Sequence, residues 1–197
     1  MAARSETLLK RKQQLVRDAI WDAAIDLFAK KGFDEVTVEE IAGAAGVSPR
    51  SFFRYFSSKS DLLAYAVLVY GRSIGEAIEA CPKSWTPMAV MKKVTLDTAQ
   101  GVAANPRSRQ VIRIVQSSTA AREALAGSVV TIEDRVAVAF QSRLRKGTKD
   151  RLKPRLLAAL TLSILQVVNK CWAEGDARDI SAIAQQAFSA LNQVVAE

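Results

Sequence analysis

Residues 37–56 read TVEEIAGAAGVSPRSFFRYF, and this spacing decides how the segment folds. Thr37 and Glu40 stand at capping-box distance, so each side chain can satisfy a free backbone amide at the start of a helix. That helix is short: it carries Val38, Ile41, Ala42 and Ala45 inward and ends at Gly46. Ser48 is then a natural N-cap, and Pro49 suits a first helical position, where its missing N–H would have no partner anyway. Two short helices about a tight glycine turn are the spacing of a helix-turn-helix, and Ala42 is small enough to let the second helix approach. The same spacing also fits an ordinary helical hairpin inside a bundle.

On the second helix Phe52 and Phe56 are one turn apart and face the core. Ser48, Arg50, Ser51, Phe53, Arg54 and Tyr55 are left to meet something else. An arginine placed like Arg50 can donate two hydrogen bonds to guanine O6 and N7, a contact worth roughly 1–3 kcal/mol of base discrimination. The hydroxyls of Thr37, Ser51 and Tyr55 and the ammonium of Lys59 suit phosphates, which set register without reading sequence. Arg17 and the cluster Lys10, Arg11 and Lys12 add candidate phosphate or minor-groove contacts. The expected partner is double-stranded DNA.

Helical periodicity continues on both sides. Before the segment, Val16, Ile20, Ala24, Leu27 and Phe28 recur at three- and four-residue steps, with Gly32 as a stop and Phe33 packing back. After it, Ser58 with Asp61 can cap a helix from near Lys59 to about Ala80. Pro82 and Pro87 then mark a change of composition. Five further helices are predicted near 86–103, 106–117, 120–146, 152–174 and 179–195, punctuated by Pro106, Gly147, Pro154 and Gly175. The expectation is an all-α chain of about nine helices: a helix-turn-helix DNA-binding domain over 1–58, a connecting helix over 59–80, and a larger helical domain over 81–197.

Composition narrows the chemistry. The 197 residues contain no histidine, which removes Ser/His and Cys/His nucleophile pairs and histidine metal sites. Cys81 and Cys171 form no CxxC pair, neither GxxxxGK nor GxGxxG occurs, and Glu39-Glu40 and Asp22-Asp26 lie on helix faces expected to be solvated. No catalytic set, metal or cofactor is therefore expected. Cys171 beside Trp172 reads as an inert core thiol or, less simply, a redox sensor. The first residues lack the apolar core of a signal peptide, which places the chain in the cytoplasm. The uncharged run over residues 156–169 falls short of the about 20 residues of a membrane span and reads as a buried helix. The net charge of +8 first suggests a polyanion, yet residues 105–155, outside the DNA-reading segment, hold 12 basic against 4 acidic side chains.

With LFAKKGF, TVEEIA, AGVS, FFRYF and SKSDLL in this order, residues 15–65 closely resemble the N-terminal domain of TetR-type transcriptional regulators. The resemblance implies that the second helix of the motif enters the major groove. It puts Thr37, Arg50, Ser51, Phe53, Tyr55 and Lys59 at positions that usually touch DNA, with Ser48 and Pro49 at the helix start beside them. Phe53 stands where the family very often has tyrosine, which implies apolar contact with a sugar edge or thymine methyl in place of a phosphate hydrogen bond. It further implies a homodimeric repressor, released from a palindromic operator by a small-molecule effector bound in the C-terminal domain. A helix-turn-helix activator or an effector-independent DNA binder is the alternative.

Two further sets of candidates lie in the C-terminal part. Tyr70, Trp85, Met88, Met91, Phe140 and Trp172 could line an apolar effector site or simply pack the core. Leu156, Leu160, Ile164 and Val168, with Ala187, Leu191 and Val194, form wide apolar faces on the last two helices. These faces are buried against a second copy or within one chain. A two-fold dimer would set its recognition helices about 34–36 Å apart. Of the basic stretch, Arg107, Arg109 and Arg113 would by family analogy lie near the DNA-binding domain and add long-range attraction. Arg143 to Arg155 read as solvated charge or an anionic ligand site.

Overall fold

Caps and glycines set most of the helix ends in the computed structural model, which describes residues 2–144, 151–175 and 179–196 and contains nine helices and no strand among them. α1 (Ala2–Lys31) stops where the Gly32 amide donates to the Phe28 carbonyl at φ +89°. It starts much earlier than the apolar spacing suggests, because Ala, Leu, Lys, Arg and Gln before Val16 are strong helix formers that need no buried face. α2 (Val38–Ala44) and α3 (Pro49–Tyr55) form the motif, and α4 (Lys59–Ala80) follows, its first turn capped by the Ser58 hydroxyl on the Asp61 amide at 3.0 Å. α5 (Pro87–Ala104) is capped by Thr86. α6 (Ser108–Ser117) and α7 (Thr119–Gln141) meet at Ser118, whose hydroxyl accepts the Ala121 amide at 3.0 Å. α8 (Leu152–Glu174) and α9 (Ile180–Ala196) complete the chain. The helix expected to reach residue 146 ends at Gln141, and Gly147 lies outside the described residues.

The chain divides into two units, Met1–Tyr65 with Ile114–Leu125, and Ala66–Arg113 with Ala126–Glu197. The first is built on aromatic packing. Phe28 and Phe33 stack at 5.0 Å across the α1–α2 turn, and Phe52, Phe56 and Tyr65 form a chain of ring contacts at 5.9 and 5.8 Å. Ile20, Ile25, Ile41, Leu62 and Leu63 fill the space between them. The α6–α7 corner joins this unit through Ser118, which donates to the Asp34 carboxylate at 3.0 Å.

The second unit buries Ile74, Ile78, Val90, Met91, Val94, Val136, Phe140, Leu165, Val168, Ile180 and Phe188 in one cluster. α8 is long and apolar enough to cross a membrane by length and composition, but Ala158, Thr161, Leu165 and Val168 are buried against this cluster. Two sequence expectations change here. Ile164 and Val168 are 9% and 0% exposed, so they pack inside the unit and cannot lie on an outer face of α8. Arg143 is not a solvated cation: its guanidinium donates to the carbonyls of Ile78, Cys81 and Pro82 at 3.0, 2.7 and 2.6 Å, closing the C-terminus of α4. Cations at helix C-termini satisfy carbonyls that have no partner within the helix.

Candidate nucleic-acid interface

The motif is held rigid from both ends. Thr37 accepts the Glu40 amide at 3.2 Å while Glu40 accepts the Thr37 amide at 2.9 Å, completing the capping box. Lys31 adds an ion pair to Glu40 at 2.6 Å. The Lys31 hydrogen bond and then the Thr37 amide pull the Glu40 carboxyl down to about 2. At the turn Gly46 adopts φ +66°, a conformation that side-chain-bearing residues rarely take, and the Val47 amide closes on the Ala42 carbonyl at 2.9 Å. The Ser48 hydroxyl caps α3 by accepting the Ser51 amide at 3.1 Å, with Pro49 at the first position as expected. Phe52 is fully buried and anchors α3 to the core.

What α3 then presents outward is Arg50, Phe53 and Arg54. Arg50 is exposed, and no hydrogen bond or ion pair engages it among the described residues. Phe53 is 54% exposed, its ring edge-on to Phe52 at 5.5 Å. Arg54 lies over the Tyr55 ring at 5.1 Å, a stacked pair whose geometry the spacing alone did not reveal. Ser51 and Tyr55 are half-buried beside this edge.

Other candidates have structural duties. The hydroxyls of Thr37 and Ser48 are committed to their caps. Arg17 is half-buried, its guanidinium 5.9 Å from the Phe56 ring and 5.2 Å from the Tyr65 ring. Lys59 differs most from expectation: its ammonium donates to the carbonyls of Phe33, Asp34 and Val36 at 2.8, 2.9 and 3.1 Å and sits 4.8 Å from the Phe33 ring. All three of its N–H donors are used on the α1–α2 turn, so it clamps that turn and offers no free donor to a phosphate.

The second unit separates the remaining candidates. Met91, Phe140 and Trp172 are buried in its core and Tyr70 packs against it. Trp85 and Met88 are 40% and 45% exposed, because they precede Val90, the first position of α5 to face the core. In this unit Thr95 Oγ1 and Trp172 Nε1 are buried without a hydrogen-bond partner among the described residues, and Tyr70 Oη and Asn169 Oδ1 have none but each other. Asn169 lies against the Tyr70 hydroxyl, and burial pushes that phenol up to about 12, so it is a neutral donor. Asn169 and Trp172 are one helical turn apart on α8. Asn169 was readable as a polar residue in an apolar run, though nothing in the sequence paired it with Tyr70. Arg109 stacks on Trp172 at 4.4 Å, and Arg113 donates to the Ala173 carbonyl at 3.3 Å, which ties both arginines to the end of α8.

On α8 the exposed apolar residues are Leu152, Leu156, Leu160 and Val167, spaced along one stripe. Ala187 and Leu191 are half-buried on α9, and the side chain of Val194 lies outside the described residues. No group of histidine, cysteine or acidic residues arranged to hold a metal occurs among the described residues.

A capped helix-turn-helix with an outward arginine-aromatic edge, in a chain whose other unit is helical, defines a DNA-binding transcriptional regulator. Residues 20–66 match the family model described as bacterial regulatory proteins, tetR family. Over these residues, about a quarter of the chain, the protein is similar to that family, and the relatives it matches are named as transcriptional regulators. It is 26% identical over 195 residues to the HTH-type transcriptional regulator TcmR of Streptomyces glaucescens, covering 95% of this chain and 86% of that protein. Its fold resembles that of a TetR-family transcriptional regulator from Syntrophomonas wolfei (TM-score 0.71, 18% identity, 93% and 96% of the two chains). It also resembles SmeT, the repressor of the Stenotrophomonas maltophilia multidrug efflux pump SmeDEF (TM-score 0.60, 23% identity, 87% and 85%).

Proposed function

We propose that the protein is a homodimeric repressor that acts in the cytoplasm on a palindromic operator and is released by a small, largely apolar effector. The observation that carries the DNA-reading part is Arg50, exposed and unpaired among the described residues on a helix whose caps and buried Phe52 fix its position. In this reading Arg50 takes a guanine edge, and Phe53 takes a thymine methyl or sugar. The edge formed by Ser48, Pro49, Ser51 and Tyr55, together with Thr37 at the start of α2 and Arg17, borders the phosphates.

The stripe Leu152, Leu156, Leu160 and Val167 supports dimerisation, since an aligned apolar face on α8 is well suited to a second copy. The buried Trp172 indole N–H, without a partner among the described residues, and the Tyr70–Asn169 pair, whose Asn169 is one turn from it on α8, support an effector site in the second unit. A buried donor or acceptor without a partner costs roughly 1–3 kcal/mol, a cost that a ligand with matching groups removes. Such an effector shifts the protein only by its differential affinity for DNA-competent and DNA-incompetent conformations. Footprinting on the DNA upstream of the protein's own gene tests the reading. A protected inverted repeat with half-site centres one helical turn or a multiple apart is expected. Protection without two-fold symmetry contradicts the dimeric operator.

A further inference from the structure

α4 and α7 approach each other closely within the second unit because glycine occupies position 71. A Cβ placed there would lie 2.5 Å from Ile132 Cγ1, so Ile132 sinks against the α4 backbone and is itself buried. One turn along, the Arg135 Cγ lies 3.5 Å from the position of a Cβ on Gly75, which lays the aliphatic stem of Arg135 along α4. The two helices leave between them an open groove of about 190 Å³, lined by Leu68, Arg72, Thr131, Ile132 and Arg135.

This groove has an apolar half and a cationic half. Leu68 is 39% exposed and Ile132 forms part of the lining beneath it. Arg72 and Arg135 stand one turn beyond Leu68 and Thr131 on their respective helices, and both are exposed. Neither guanidinium forms an ion pair or hydrogen bond among the described residues, although Glu76 and Asp134 stand nearby on the same helices. The Thr131 hydroxyl is already used on the Gly127 carbonyl at 3.2 Å. Two like charges lining one groove repel each other. An anion between them reverses the sign of that interaction, and guanidinium forks match a carboxylate in shape. The exposed leucine beside them suits an apolar stem.

We propose that the α4–α7 groove binds a small amphiphilic carboxylate, its head between Arg72 and Arg135 and its aliphatic stem over Leu68 and Ile132. The experiment is isothermal titration of the full chain, without DNA, with octanoate, 1-octanol and inorganic phosphate as separate probes. Octanoate is expected to bind at one site per chain, with octanol and phosphate each about tenfold weaker or more, since each lacks half of the match. Arg72→Gln alone should weaken octanoate about threefold, and Arg72→Gln with Arg135→Gln about tenfold, with circular dichroism unchanged. Leu68→Ser supplies an independent variant that keeps both cations and should also weaken octanoate. No octanoate binding, equal octanoate affinity in the folded double variant, or phosphate binding as tight as octanoate would each overturn the proposal.

Discussion

Replacing Lys59 by methionine keeps the stem and removes the ammonium, and the consequence follows from its three partners. The charge-assisted hydrogen bonds to Phe33, Asp34 and Val36, at 2.8, 2.9 and 3.1 Å, are lost together with the contact to the Phe33 ring. A hydrogen bond to a charged group contributes roughly 1.5–3 kcal/mol, but three bonds sharing one half-exposed cation do not add, so about 2–4 kcal/mol is expected for the set. The ring contact contributes about 0.5–1 kcal/mol more. For a chain of this size a loss near 3 kcal/mol lowers the melting temperature by about 6–12 °C. Urea unfolding followed by circular dichroism measures the loss, and operator affinity as a function of salt measures the charge. A phosphate contact contributes about 0.9 to the slope of log K against log salt. The clamp predicts reduced stability with an unchanged slope. Stability within about 0.5 kcal/mol of the parent, with a slope smaller by about one, would refute the reasoning.

Three other outcomes follow from the packing and charges. Gly71→Ala places a methyl 2.5 Å from Ile132 Cγ1 and should cost about 1–3 kcal/mol in urea unfolding. Adding Ile132→Ala should recover part of that cost, and simple additivity of the two losses argues against the clash. Because the Lys31 and Thr37 hydrogen bonds hold the folded Glu40 carboxyl down at about 2, against its ordinary 4.5, its ionised contacts stabilise fully above the higher value and fade as pH falls toward the lower. The stability gap between the parent and Glu40→Gln should therefore shrink between pH 4.5 and about 2; a gap that stays constant over that range removes the ion pair as its source. Leu160→Asp should give folded monomers by light scattering, since Leu160 is 40% exposed, whereas Ile164→Asp should unfold the chain, since Ile164 is 9% exposed. Unchanged dimer mass for Leu160→Asp would move the interface off the α8 stripe.

Helix ends were legible wherever local chemistry decides them. Thr37 with Glu40, Ser48 with Pro49, and Gly32 and Gly46 act within a few residues, and their structural roles follow from side-chain reach and backbone freedom alone. Partners distant in sequence were not legible. Lys59 reaches back to the α1–α2 turn, Arg143 reaches back to the end of α4, and Ser118 reaches Asp34. A cation or hydroxyl in sequence does not show whether it faces solvent, DNA or a bare carbonyl. The apolar residues of α8 posed the same problem: Leu160 and Ile164 are equally hydrophobic and one turn apart, and only the packing of α5 and α9 decides which is buried. Net charge misled most, since Arg109, Arg113 and Arg143 in the basic stretch are bound to the protein itself.

The central claim is that α3 reads bases through Arg50. Its most direct test compares Arg50→Ala with the parent on operator and on random DNA at one salt concentration. Losing a bidentate guanine contact should cost about 1–3 kcal/mol on the operator, roughly 5- to 150-fold, and relax preference at one symmetric pair of positions. Binding to random DNA should fall much less. An equal loss on both DNAs would mean that Arg50 contacts only phosphate, and the base-reading account of α3 would be contradicted.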